Sequence, residues 1–232
     1  MKVARVLTIA GSDSGGGAGI QADLRTFAMH CVHGMSALTC VTAQNTVGVE
    51  GVEAISPTMV KAQLQAVLTD IGVDAAKTGM LLNAEIMTAV AEVLDAQPIA
   101  ALVIDPVMVS RTGAVLIDQA AIATLRDRLL PKALITTPNR YEAQILAGMT
   151  IDTLAQMQQA AQVIQGLGPQ TVLVKGGSLA DDLQGTDVWL DGEHCEVLTT
   201  ERVVTPHTHG TGCTLAAAIA ANLAQGTTPL EA

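Results

Sequence analysis

The stretch "HGTGCT", residues 209–214, sets a histidine, two glycines and a cysteine at the entrance of a helix of small residues, "LAAAIAANLA". The first turn of a helix carries unpaired N–H groups and the positive end of the helix dipole, so it attracts anions. Gly210 and Gly212 remove the bulk that would block an approaching phosphate, and with Thr211 and Cys213 they form a candidate anion hole. The field at such an entrance is expected to lower a thiol pKa and enlarge its thiolate fraction. Cys213 is therefore a candidate general base toward a substrate hydroxyl, or a nucleophile. The plain alternative is a small packing residue. His209 is placed to polarise the thiol or to orient a phosphate, whereas His207 reads as a loop residue. Neither histidine has HxxxH spacing or an accompanying acid that would compel a metal.

A second stretch, "GSDSGGGAGIQAD" over residues 11–23, has five glycines in its first nine residues, more than a turn demands. Such a loop can wrap its backbone closely around a small ligand. Residues 17–22 fit GxGxxA formally, but the cluster begins several residues past the strand end at Gly11. The following strand also ends in Gln44-Asn45, where a dinucleotide fold would carry an acid for ribose. No GxxxxGK[ST] motif occurs anywhere. Asp23, one turn into the helix, would aim a carboxylate at the ligand; the alternative is that it stabilises the first turn of the helix. Gln44 both donates and accepts, which suits the edge of a heterocycle, and equally suits a loop amide capping a backbone group.

The elements that position these residues alternate in type. Apolar runs "ARVLTIA", "MSALTCVTAQ", "DAAKTGM", "ALVIDPVM", "ALITTP" and "TVLVKGG" read as strands. Between them, helical periodicity spans residues near 18–30, 57–71, 83–96, 118–129, 140–147 and 152–167. This alternation predicts right-handed crossovers and a doubly wound α/β fold, its mainly parallel sheet covered by helices on both faces. "TDVWLDGEHCEVLTT", joined through Asp191-Gly192, predicts an antiparallel edge hairpin. Ligands in such folds gather where strand C-termini meet helix N-termini, and both glycine-rich stretches fall there.

Composition narrows the function. Phe27, Tyr141 and Trp189 are the only aromatics in a chain that is 49% hydrophobic, so small aliphatic residues must build the core. A net charge of −10 argues against a nucleic-acid or anionic membrane partner. No run approaches the ~18 apolar residues of a membrane span, and no signal core is evident, so a cytoplasmic location is expected. The cysteines fall in no CxxC pair; Cys31, Cys40 and Cys195 are expected to be buried small hydrophobes.

Seven segments in register, "LTIAGSDSGGGAGIQADLRTF", "TAQNTVGV", "KTGML", "IDPVM", "TPNRYEA", "LVKGG" and "HGTGCT", cover essentially the whole chain. Together they closely resemble the hydroxymethylpyrimidine/phosphomethylpyrimidine kinases of thiamine biosynthesis, in the ribokinase-like superfamily. The resemblance implies ATP- and Mg²⁺-dependent phosphorylation of 4-amino-5-hydroxymethyl-2-methylpyrimidine, then of its monophosphate. It implies that Gln44 reads the aminopyrimidine edge and that Gly11, Ala18 and Asp23 line the same pocket, with Met80 and Val107 as apolar walls. It places Asn139 and Glu142, in an NxxE pattern, near Mg²⁺ and ATP oxygens, Asp105 as a further acid near the metal, and Lys175 and His209 against nucleotide phosphates. It also implies a homodimer. Within the pattern, Arg140-Tyr141 replaces the usual small or Leu-Pro pair, and His207 stands where Asn is frequent. The chain, read as a single domain over 1–232, stops at "TTPLEA" where relatives continue with further helix. The alternatives are a pyridoxal, pyridoxine or pyridoxamine kinase of the same cysteine-containing branch and a noncatalytic pyrimidine-binding protein.

Overall fold

The computed structural model describes residues 3–108, 117–177, 185–201, 203–205 and 207–232. Strand β1 (Arg5–Ala10) lies between β2 (His33–Leu38) and β5 (Ala75–Thr78), and the sheet continues through β6 (Leu102–Ile104), β7 (Ile135–Thr136) and β8 (Thr171–Val174), all parallel. Antiparallel β9 (Thr186–Asp191) and β10 (His194–Thr199) close one edge, giving the order β10-β9-β8-β7-β6-β5-β1-β2. The predicted edge hairpin is therefore present, and Gly192 at its turn takes φ +58°, a conformation that favours glycine.

One expectation fails in part. "MSALTCVTAQ" is not one strand: β2 ends at Leu38, and β3 (Cys40–Gln44) leaves the sheet to pair with β4 (Val49–Ala54) in a separate antiparallel ribbon. Thr39 makes the break. Its N–H donates to the Ala10 carbonyl and its hydroxyl to the Met80 carbonyl at 2.7 Å, so neighbouring strand ends hold it. Apolar alternation cannot register such a change of partner, because both halves keep strand geometry.

Helices cover both faces. Residues of α2 (Pro57–Ala66), α3 (Ala84–Ala96), α4 (Gln119–Thr124), α5 (Arg140–Ala147) and α6 (Leu154–Gln165) share one core, including Leu64, Val90 and Ile164. Wider turns over Val67–Ile71 and Leu125–Leu129 extend α2 and α4 to the ends expected from periodicity. The other face is covered by α1 (Gly19–Met29) and α7 (Thr211–Ala224), whose core joins Phe27 and Trp189 to Ala216, Ala217, Ala220 and Ala221. Alanines let α7 sit directly on β1, β5 and β6, which carries its N-terminus to the C-terminal edge of the sheet. Phe27 is fully buried in this layer, and deleting such a ring typically costs about 3–5 kcal/mol.

Two cysteines depart from expectation. Cys40 is buried, but Cys31 and Cys195 are exposed. Cys31 follows the last turn of α1 at φ +57°, and Cys195 lies on the edge strand, so neither position faces a core. Among the described residues, no helix is long and apolar enough to cross a membrane.

Candidate active site

The N-termini of α1 and α7 meet at Cys213. Gly19 opens α1 and its backbone N–H favours the Cys213 thiolate, while Cys213 itself sits in the first turn of α7 behind Gly210, Thr211 and Gly212. Gly210 is sterically required. A β-carbon on Gly210, which has φ +82°, would lie 1.8 Å from the Gly17 carbonyl oxygen. One on Gly212 would lie 3.2 Å from the Lys175 Nζ, so that ammonium rests against the helix entrance. The structure thus brings together the anion hole and Lys175, from the far side of the sheet.

The thiol itself corrects an expectation. Burial pushes the Cys213 thiol above its ordinary pKa, and the Asp105 and Asp23 carboxylates push the same way. Lys77 and the Gly19 N–H pull it down without prevailing. A helix N-terminus lowers a thiol pKa where the thiolate stays partly solvated; here desolvation dominates.

Lys77 was not singled out by its sequence context, yet it is fully buried. Its Nζ donates to both Asp23 oxygens at 3.0 Å, and the Thr8 hydroxyl donates to Asp23 Oδ2 at 2.6 Å. Asp23 therefore turns its carboxylate beneath the glycine-rich loop, into an ion pair with no exposed surface. The signal that could have found it is a lone lysine inside the apolar strand of "DAAKTGM", since buried charges are nearly always paired.

On the opposite flank, Lys175 Nζ donates to Asp105 Oδ1 at 3.1 Å, and the Thr137 hydroxyl donates to the same oxygen at 3.1 Å. Asn139 and Glu142 form a capping box on α5: Asn139 Oδ1 accepts from the Glu142 N–H at 3.0 Å, and Glu142 Oε2 accepts from the Asn139 N–H at 2.8 Å. NxxE here is a helix start as well as a candidate phosphate motif. Burial first, and the nearby Asp105 second, push Glu142 up to about 8. The Asp105 and Glu142 carboxylates thus crowd each other around one lysine, and an added cation would relieve that repulsion. Hard oxygen donors in small number fit magnesium, which keeps much of its water. Among the described residues, no group of three or more His, Cys, Asp or Glu is arranged to hold a metal.

The remaining predicted residues line the loop side. Gly11 packs where a β-carbon would meet Cys40 Sγ at 2.5 Å and Met80 Cε at 3.1 Å. Ala18 caps α1, and Val107 is half-buried beyond the end of β6. Gln44 is half-buried at the end of β3, with its Nε2 3.4 Å from His209 Nε2. His209 is not on the thiol: its Nε2 lies 2.9 Å from Asp13 Oδ2, a residue that sequence reading missed.

A parallel sheet whose C-terminal edge carries two helix N-termini, a lysine at the anion hole and a carboxylate pair is the arrangement of a ribokinase-like small-molecule kinase. Comparison with known proteins makes the class specific. Residues 13–232 match the phosphomethylpyrimidine kinase family model. The chain is 65% identical over 226 residues to a hydroxymethylpyrimidine/phosphomethylpyrimidine kinase of Synechococcus elongatus, covering 97% of this chain and 86% of that one. A crystal structure of phosphomethylpyrimidine kinase from Clostridium difficile superposes with TM-score 0.89 at 40% identity, over 99% of this chain and 94% of that one. An ADP complex of Bacillus subtilis pyridoxal kinase superposes with TM-score 0.92 at 42% identity, over 99% and 87%. The chain belongs to the phosphomethylpyrimidine kinase family.

Proposed function

We propose that this chain phosphorylates 4-amino-5-hydroxymethyl-2-methylpyrimidine with ATP, then converts the monophosphate to the diphosphate, in thiamine biosynthesis. The observation that carries the reading is the convergence of Cys213, the first turn of α7 and Lys175 at one sheet edge within reach of the Gln44 loop. Phosphoryl transfer needs chiefly alignment and charge stabilisation, and this edge supplies both.

In the first step the substrate hydroxyl loses its proton to the Cys213 thiolate, leaving the neutral thiol, as its oxygen bonds to the γ-phosphorus. The bond from that phosphorus to the β,γ-bridging oxygen breaks and ADP leaves. The backbone N–H groups of residues 210–213 and the Lys175 ammonium face the charge on the moving group. Gln44 reads the aminopyrimidine, Gly11, Ala18, Met80 and Val107 wall it, and Asp23 acts from beneath through Lys77. Asn139 and Glu142 serve the nucleotide side, whereas His209 is engaged by Asp13 at the rim of the anion hole. Glu142 with Asp105 would hold magnesium, which would neutralise phosphate oxygens when bound. The working protein is a cytoplasmic homodimer.

The likeness to a pyridoxal kinase favours a second reading, because pyridoxal also presents a hydroxymethyl group on a small heteroaromatic ring. Mass spectrometry of products from purified protein, ATP and Mg²⁺ with either acceptor tests both. Pyrimidine monophosphate followed by diphosphate is the expected result. Pyridoxal phosphate alone moves the assignment to the second reading, and binding without turnover refutes a catalytic role.

A further inference from the structure

Asp13 is 2% exposed in a loop whose other residues are mostly accessible, and no step of the proposed transfer uses it. Its carboxylate nevertheless has three partners. Oδ1 accepts from the Gly15 N–H at 2.9 Å, and Oδ2 accepts from the Ala18 N–H at 2.8 Å and lies 2.9 Å from His209 Nε2. Its backbone is fixed too, by Gln21 Oε1 at 2.9 Å and by the Gly16 N–H. These hydrogen bonds hold Asp13 below the usual carboxylate range although burial opposes ionisation.

The partner across the contact is 196 positions away in the chain. The His209 ring lies on Gly17, where a β-carbon would come within 2.5 Å of His209 Cδ2, and Gly210 then passes directly under the Gly17 carbonyl. His209 also touches Gln44, and Ser14 ties the same loop to the Gln44 backbone at 2.6 and 2.8 Å. The seam therefore runs from the anion hole, through His209 and Asp13, along the glycine-rich loop to the pyrimidine-reading amide.

We propose that Asp13 and His209 are positioning residues that latch the glycine-rich loop to the entrance of α7, so that the acceptor and the phosphate are held in register. A loop with this many glycines has high conformational freedom and would otherwise pay that entropy at each substrate encounter. A carboxylate accepting several N–H bonds is suited to the task, since an asparagine turns one acceptor into a donor facing another donor.

The latch rests on the proposed reaction only for its kinetic readout; hydrogen exchange reads it without substrate. His209→Ala should speed amide exchange over residues 13–18 by about tenfold or more, as local opening becomes easier. It should also lower kcat/KM for the pyrimidine by about 10²-fold, the scale of an ångström-sized misplacement, with little change in KM for ATP. His209→Gln, which can place an amide N–H near the Nε2 position, should recover most of both losses, and Asp13→Asn should reproduce them. Unchanged exchange in His209→Ala, or a harmful His209→Ala beside a harmless Asp13→Asn, overturns the latch; the second outcome would put His209 on the phosphate by itself. A wild type without turnover but with the expected exchange differences would fault the reaction and leave the latch standing.

Discussion

Two lysine–carboxylate pairs flank the entrance of α7, and they differ where it matters. Lys77 and Asp23 are both fully buried and bonded through two oxygens at 3.0 Å. Lys175 and Asp105 meet through one oxygen at 3.1 Å, with 14% of the lysine side chain exposed beside Gly212. The first pair has no exposed surface and, under the proposed function, acts through its field on Cys213. The second faces the space where a phosphate would arrive. The same residue pairing at nearly the same distance thus suits a tuning element in one place and a contact element in the other, and burial makes the difference.

The largest effect expected from this contrast is on the contact side. Lys175→Met should lower kcat by about 10²–10³-fold, the scale of losing one donor to developing charge. Steady-state assays at saturating ATP check this, with a Tm near that of wild type; unimpaired turnover would place the phosphate elsewhere.

On the buried side the main loss should be stability. Lys77→Met leaves the Asp23 charge unpaired and should cost about 3–5 kcal/mol, read by urea unfolding. Lys77→Met combined with Asp23→Leu should regain most of that, because an apolar pair can replace a buried ion pair. If the double variant folds well and still turns over normally, the pair serves the fold alone.

Cys213 distinguishes tuning from packing more sharply. Removing Lys77 takes away a charge that favours the thiolate, whereas Asp23→Asn takes away one that opposes it. The pH midpoint of Cys213 alkylation should therefore rise in Lys77→Met and fall in Asp23→Asn, although both break the same ion pair. Shifts in one direction would mean that the variants act by loosening the site. In the wild type, the raised thiol predicts a first phosphorylation that accelerates about tenfold per pH unit on the alkaline side of neutrality, where the thiolate fraction grows. Cys213→Ala should flatten that profile.

The smallest effect concerns Glu142. Its pKa rises from 4.5 to about 8 on folding, so between those values the folded chain holds a proton that the unfolded chain has released. Stability contributed by this group therefore declines as pH rises through that window. Glu142→Gln keeps an acceptor for the Asn139 N–H and cannot ionise, so its Tm should drop less between pH 5 and pH 8. The size of the difference in Tm reads the linkage directly, at about 2–4 °C per kcal/mol for a domain of this size. Equal drops would show that the carboxyl titrates normally.

Much of this site lies in local sequence. Asn139 and Glu142 are three apart and cap a helix because that spacing spans its first turn. Gly210, Gly212 and Cys213 share the opening turn of α7 for the same reason, and Asp191-Gly192 marks a hairpin through the conformational freedom of glycine. Asp13 carried a faint local signal, the acceptor two residues before Gly15 that builds an Asx turn. The break at Thr39 carried none, since it depends on the Ala10 carbonyl at the end of β1 and the Met80 carbonyl just past β5.

The sequence by itself determined the order of strands and helices outside the β3–β4 ribbon, the glycine-rich approaches to an anion and the family to which the chain belongs. Tertiary structure alone decided which charges meet. Asp23 and Lys77 stand 54 residues apart, Asp105 and Lys175 stand 70 apart, and Asp13 and His209 stand 196 apart. Periodicity and spacing report only what one turn or one strand can reach. The state of the Cys213 thiol, which local reading placed below its ordinary pKa and the fold places above, follows from desolvation between two packed helices, a quantity that no short stretch of sequence contains.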